Sequence, residues 1–220
     1  MNWTLNGVFM LNYFDFESRK VGEISLAKRK PVLGVGINDC DHVVNIAVDG
    51  KTVLYKPYLD WLNMLKRCYC ESYHKRKPSY RMTKVCDDWL FFSKFKKWHK
   101  DNYNEGFFLD KDILSDLNVY CPSSCVFVPV HINNFITNSE GSRGELPVGV
   151  SLTKSGSYHS YCRNPFTKKR VNIGHFKSAI EAQEARLEYK LKLVFEYKDE
   201  LDEIDTRLYE RIVLIIKRQK

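Results

Sequence analysis

The chain has 220 residues, 44% hydrophobic and 28% charged, which is enough apolar material for a buried core and excludes a disordered or low-complexity polypeptide. No apolar run approaches the roughly 20 residues needed to cross a bilayer, and the first residues lack a signal peptide's basic start and apolar core, so a soluble cytoplasmic protein with no membrane partner is expected. A net charge of +8 points to a polyanionic partner, and seven cysteines without a C-x-x-C pair argue against a disulfide framework or a zinc ribbon.

Residues 1–56 read as short strands bounded by turns, with Asp49-Gly50 a two-residue hairpin connection between 43–48 and 52–54. Lys28-Arg29-Lys30 before Pro31 reads as a linker or a phosphate-facing edge. A helix is expected over 57–72, with Pro57 in its first turn and Leu59, Leu62, Leu65 and Tyr69 at helical spacing alongside Trp61 and Met64; Lys66 and Arg67 fall late in it, as expected contacts to DNA phosphates. The segment 73–81 then mixes Lys75, Arg76, Lys77 and Arg81 with Tyr73 and Tyr80, a composition suited to a DNA backbone, and His74 reads as a surface histidine. A second helix is expected over 87–100, capped by Asp87 or Asp88, with Trp89, Phe92 and Phe95 as a core stripe and lysines toward its end.

Charge alternates in blocks. Residues 51–100 hold thirteen Lys/Arg against four acids, 101–144 hold two against six, and 145–176 hold five against one. A basic arm, an acidic centre and a second basic arm suit a protein that grips phosphates on both sides of a carboxylate-bearing pocket.

The acidic centre reads as strand, loop, strand, helix. Phe107-Phe108-Leu109 delivers Asp110 and Asp112, a loop with Pro122 follows, and Val126-Phe127-Val128 ends at Pro129 before His131, Ile132, Asn133 and Asn134. Converging oxygen ligands of this kind suit a hard divalent cation; the other reading is a hairpin with solvated acids and a helix cap. Cys121 and Cys125 flank the hairpin and read as buried thiols, with a metal pair as the alternative.

The segment 125–133, Cys-Val-Phe-Val-Pro-Val-His-Ile-Asn, resembles the ββα-metal core of HNH nucleases in the form found in phage homing endonucleases. Trp61-Leu-Asn-Met-Leu-Lys-Arg-Cys-Tyr69, Pro78-Ser-Tyr80 and Val85-Cys-Asp-Asp-Trp89 resemble what precedes that core in phage HNH proteins. The resemblance implies one Mg²⁺ (or Mn²⁺) held by Asp110 and Asn133, with Asp112 as a further ligand. Lys111 stands where the family has its general-base His, and Ser124 where it has its middle Asn. Lys111 and His131 are then the candidates to activate water, His131 the better because neighbouring carboxylates keep a lysine protonated.

Residues 138–145, polar and with two glycines, read as a linker, and Arg143 within it as a DNA contact. Beyond it, three strands are expected over 148–153, 157–163 and 170–173, then a helix capped by Ser178 with Glu181 three residues on. Leu146-Pro-Val-Gly-Val150, Gly156-Ser-Tyr158, Ile173-Gly-His-Phe176, Ala179-Ile-Glu-Ala182 and Ala185 resemble the APETALA2/ERF-type DNA-binding domain over about 45 residues, a module also appended to phage HNH homing endonucleases. In that family the sheet enters the major groove. If Ser160 and Cys162 face the helix, alternation turns His159, Tyr161, Arg163, Arg170, Asn172, Ser151 and Thr153 outward, with Lys154 in the adjoining turn. A last helix over 205–217 is apolar on one side and packs back on this module or forms a dimer contact.

The expected fold is thus α+β: a nuclease-like domain over 1–137, a linker over 138–145 and a DNA-binding domain over 146–220. The expected function is metal-dependent hydrolysis of double-stranded DNA by a homing or nicking enzyme, in an infected cell if the chain is phage-encoded. The alternatives are a degenerate DNA-binding regulator or decoy and, with less support, a protein-binding inhibitor.

Overall fold

The computed structural model describes residues 4–5, 8–9, 12–137 and 146–219, so the expected linker and its Arg143 lie outside the described residues. The architecture is mixed α+β. Its elements in chain order begin with β1 (Thr4–Leu5), β2 (Val8–Phe9), α1 (Tyr13–Glu17), α2 (Glu23–Ala27), β3 (Asn45–Val48), β4 (Lys51–Leu54), α3 (Lys56–Tyr69), α4 (Glu71–Arg76), β5 (Lys84–Val85) and α5 (Phe92–Asn102). They continue with β6 (Phe107–Asp110), β7 (Val119–Tyr120), β8 (Val126–Pro129), α6 (Val130–Ile136), β9 (Val150–Leu152), β10 (Tyr158–Arg163), β11 (Arg170–Phe176), α7 (Ala179–Glu196), α8 (Lys198–Ile204) and α9 (Leu208–Lys217). Two compact units result: Met1–Tyr103 with Leu117–Pro122, and Asn104–Asp116 with Ser123–Lys220. The segments on either side of 138–145 therefore belong to the same unit.

In the first unit, β3 and β4 form the expected hairpin. Val48 pairs with Lys51, and Asp49 and Gly50 both adopt positive φ (49° and 74°), the pattern of a type I′ turn. Trp61, Met64, Leu65 and Cys68 recur at helical spacing and give α3 one buried stripe, while α5 buries Phe92, Phe95 and His99. The Trp61 indole donates to the Trp89 carbonyl at 2.7 Å, so its buried N–H is satisfied.

Two helices differ from expectation. The first ends at Tyr69; Cys70 is extended, and a separate α4 carries Lys75 and Arg76. The second opens as a 3₁₀ turn over Asp87–Leu90, breaks at the extended Phe91 and resumes as α5. Its cap is remote: Asp39 accepts the Ser93 amide at 2.8 Å and the Ser93 hydroxyl at 2.5 Å, while Asp88 binds Lys94. Arg29 turns inward rather than toward a phosphate edge, donating to the carbonyls of Asn38, Cys40 and His42.

In the second unit, β6 and β8 are antiparallel, with Phe107 opposite Pro129 and Asp110 opposite Val126, and α6 follows directly. Its three-stranded antiparallel sheet has the order β11-β10-β9. Ser178 caps α7 by accepting the Glu181 amide at 3.1 Å, and Glu181 reaches back to the Lys177 amide. One core joins Val126, Val128 and Ile132 of the hairpin and α6 to Cys162 and Leu187 of the sheet and α7, and to Leu208, Ile212 and Ile216 of α9. The last helix thus packs back within its own unit. Arg211 donates to the Ile113 carbonyl at 2.9 Å, and Gln219 donates to the Ile136 carbonyl at 2.6 Å. Among the described residues no helix is long and apolar enough to cross a membrane.

Candidate nucleic-acid interface and the hairpin carboxylates

The sheet's two faces separate by side-chain parity. Ser160 and Cys162 on β10 are buried toward α7, where the Ser160 hydroxyl donates to the Ala182 carbonyl at 2.7 Å. His159, Tyr161 and Arg163 therefore face away, as expected. Across β11 the register pairs Arg163 with Arg170 and Tyr161 with Asn172, then shifts: Ser160 pairs with Gly174, and His159 with His175. Ile173 is the extra residue of a β-bulge and packs against the core.

The bulge reverses the alternation beyond it. Strict alternation from Arg170 and Asn172 would turn His175 inward; the bulge places it on the outer face, where it is exposed. His175 is a member of the face that sequence reasoning missed. The Ile-Gly step at 173–174 was the available signal, because glycine within a strand often marks a bulge.

The outer face consists of three rows. Ser151, His159 and His175 form the first, one residue from each strand. The two imidazoles stack with centroids 4.9 Å apart. Tyr161 and Asn172 form the second, and the Asn172 side-chain oxygen lies 2.9 Å from His159 Nε2. Arg163 and Arg170 form the third. The Arg170 guanidinium lies 3.6 Å from the centroid of the Tyr161 ring, a stack that holds the cation in place while leaving its N–H edge accessible. No residue of the three strands is acidic. Thr153 instead closes the β9–β10 turn, its hydroxyl accepting the Ser157 amide at 3.1 Å, and Lys154 is exposed in that turn.

The hairpin residues are placed as follows. Asp110 Oδ1 accepts the amides of Asp112 at 2.8 Å and Ile113 at 2.9 Å, a carboxylate-closed turn that ends β6. Burial raises its pKa above the ordinary aspartate value, against the lowering effect of those two amides. Lys111 is buried and ion-paired with the exposed Asp112. Ser124 is likewise buried, beside Cys125.

His131 turns toward the β10–β11 connection, its ring 6.2 Å from that of Phe166. It lines a cavity with Arg163, Lys168 and Arg186, and neither Asp110 nor Asp112 lines it. Burial, helped by the charge of Lys168, lowers the His131 pKa below the ordinary value. Asn133 sits one turn into α6 and is half-buried; its carbonyl accepts the Thr137 amide and hydroxyl. Cys121 and Cys125 are not joined in a disulfide, and no group of three or more His, Cys, Asp or Glu side chains that could hold a metal occurs among the described residues.

In the first unit, Lys66, Lys75, Arg76, Lys77 and Arg81 are exposed. Arg67 departs from the expected phosphate contact: its guanidinium donates to the Tyr120 hydroxyl at 3.2 Å, and its carbonyl lies 2.9 Å from His74 Nε2. That pair ties α3 to β7 and α4.

A scan against protein-family models, a search of curated proteins and a search of solved structures each find no match to this chain.

Proposed function

We propose that the chain binds double-stranded DNA through the outer face of the three-stranded sheet, as an APETALA2/ERF-like module joined to an HNH-like hairpin and helix. The observation that carries this reading is the composition of that face: two arginines, a pair of histidines, Asn172 and Tyr161, on strands with no acid. Three strands spaced about 4.8 Å apart suit a major groove about 12 Å wide. Arg163 and Arg170 have the donors to read guanine edges or to hold phosphates, and Asn172 has the amide to read adenine. The exposed cations at 75–81 are a second, sequence-independent source of phosphate contacts.

The test is fluorescence anisotropy on duplex DNA over a range of salt. Binding that weakens linearly in log–log form, with a shallower slope for Arg170→Gln, supports the reading; salt-independent or absent binding overturns it.

A second reading, cleavage of the bound DNA, is favoured by the strand–strand–helix order of β6, β8 and α6 with Asp110 at the end of β6. The donor set is compatible with a hard cation, because Asp110 Oδ2 and the Asn133 side chain make no hydrogen bond among the described residues. Asp110 and Asn133 would hold Mg²⁺, with Asp112 as a third oxygen donor if it leaves Lys111. The ion supplies charge stabilisation at the scissile phosphate and its leaving oxygen. An ammonium engaged with a carboxylate offers no lone pair to accept a proton from water, so Lys111 in this pairing is not a base. Incubation with supercoiled plasmid in Mg²⁺, Mn²⁺ or EDTA decides the matter, with Asp110→Ala alongside. Metal-dependent nicking lost in the variant establishes the nuclease; DNA binding without nicking leaves a regulator or decoy.

A further inference from the structure

We propose that the cavity between α6 and the β10–β11 connection, within the second unit, is a binding site for a nucleoside monophosphate, free or as one unit of a nucleic-acid strand. The cavity is about 390 Å³, within the range of small-molecule sites and far larger than a bare phosphate requires. Arg163, Lys168 and Arg186 line it together with His131, and among the described residues no acidic side chain does. Phe135, Cys162 and Pro165 supply an apolar surface beside these cations. A charged rim over an apolar floor fits an anionic group attached to a flat, poorly hydrated body.

The connection that carries Lys168 is held in place by its own contacts. Asn164 Oδ1 accepts the amides of Phe166 at 2.9 Å and Thr167 at 3.0 Å, and Phe166 stacks on Tyr197 with centroids 3.8 Å apart. Lys168 adopts a left-handed backbone (φ 61°), a conformation that glycine or asparagine takes at lower cost. Its carbonyl accepts Arg163 Nε at 3.1 Å, leaving the two terminal guanidinium nitrogens of Arg163 for a phosphate. His131, with its lowered pKa, presents a neutral imidazole at neutral pH, suited to a sugar hydroxyl or a base edge. The Cys162 thiol is held up in pKa by burial, so the floor is apolar surface rather than a nucleophile.

The site shares Arg163 with the sheet's outer face, but Lys168 and His131 lie off that face, so variants at these two residues separate this site from the DNA-binding reading. The test is calorimetric titration of the full chain with AMP, adenosine and inorganic phosphate, together with the imidazole NMR signals of the histidines. AMP is expected to bind and to shift His131, with adenosine and phosphate each at least about tenfold weaker, since each lacks half of the recognised ligand. Lys168→Gln, on an exposed turn, is expected to weaken AMP about tenfold without lowering the melting temperature. Arg170→Gln is expected to weaken DNA and leave AMP unchanged. A short single-stranded oligonucleotide that displaces AMP assigns the unit to a nucleic-acid strand; one that does not assigns it to a free nucleotide. Absence of AMP binding, an unmoved His131 signal, or AMP affinity untouched by both Lys168→Gln and His131→Gln overturns the proposal.

Discussion

Arg170 and Tyr161 are stacked across the β10–β11 ladder, the guanidinium 3.6 Å from the ring centroid. The tyrosine ring thereby fixes a cation that would otherwise sample several rotamers over an exposed strand. Tyr161→Ala removes that platform without touching a charge. It is expected to weaken duplex binding by about 0.5–2 kcal/mol while leaving the salt slope nearly unchanged. Arg170→Gln is expected to reduce the slope itself, by about one phosphate contact. Anisotropy at several salt concentrations separates the two.

Two glycines in the sheet module adopt nearly the same φ in different surroundings. A Cβ on Gly149 (φ 80°) would lie 2.5 Å from Arg186 Nε and 2.6 Å from the Tyr161 carbonyl oxygen, whereas one on Gly156 (φ 82°) would meet nothing within 4 Å. Gly156→Ala is expected to cost about 1–2 kcal/mol, the left-handed strain alone. Gly149→Ala is expected to cost more, because a backbone carbonyl cannot step aside as a side chain does. Thermal melting of the two variants is the check.

Lys190 is fully buried in α7. Its ammonium position lies 2.9 Å from the Gln219 side-chain oxygen and 4.9 Å from the Phe135 ring centroid. Burial depresses its pKa to about 7, with the charge of Arg186 acting in the same direction. The unfolded chain therefore binds more protons than the folded one between pH 7 and the ordinary lysine value. Stability rises with pH across that window, by up to about 1.4 kcal/mol per unit, and is lowest at and below pH 7. Lys190→Met is expected to flatten this profile and to raise the melting temperature more at pH 6 than at pH 9.

Ile212 is buried on α9 in the core that α6, α7 and the β6–β8 hairpin share. Ile212→Ala is expected to cost about 2–5 kcal/mol and to loosen hairpin and sheet together, since the cavity opens in a common core. Hydrogen exchange should show protection falling in both β8 and β10. Loss confined to α9 would mean that the helix is an appendage.

Local rules read much of this chain. The Asp49-Gly50 turn, the Ser178 cap and the inward pair Ser160 and Cys162 each depend on residues within a few positions of one another, so periodicity and turn chemistry reach them. The α3 stripe was legible in part, since Trp61, Met64 and Leu65 are buried while Leu59, Leu62 and Tyr69 are only half-buried; its end at Tyr69 was not, because the residues that follow are no worse as helix formers and the extended Cys70 carries no breaker. The break at Phe91 was equally silent, since the group that caps the resumed helix is Asp39, far back in the sequence.

The site divides along the same line. The sequence by itself determined which residues of β10 share a face, because a pleated strand alternates faces whatever packs on it, and the packing of Ser160 and Cys162 against α7 decided which face is outward. Only the tertiary structure placed His175 with them, since a bulged ladder reverses that alternation and is fixed by pairing with a distant strand. It also closed Arg67 onto Tyr120 and turned His131 to a cavity that Asp110 does not line. A cation or an imidazole reads the same in a sequence whether it meets solvent, a phenol or a cavity wall. Which one it meets is decided by packing between residues that the chain keeps far apart.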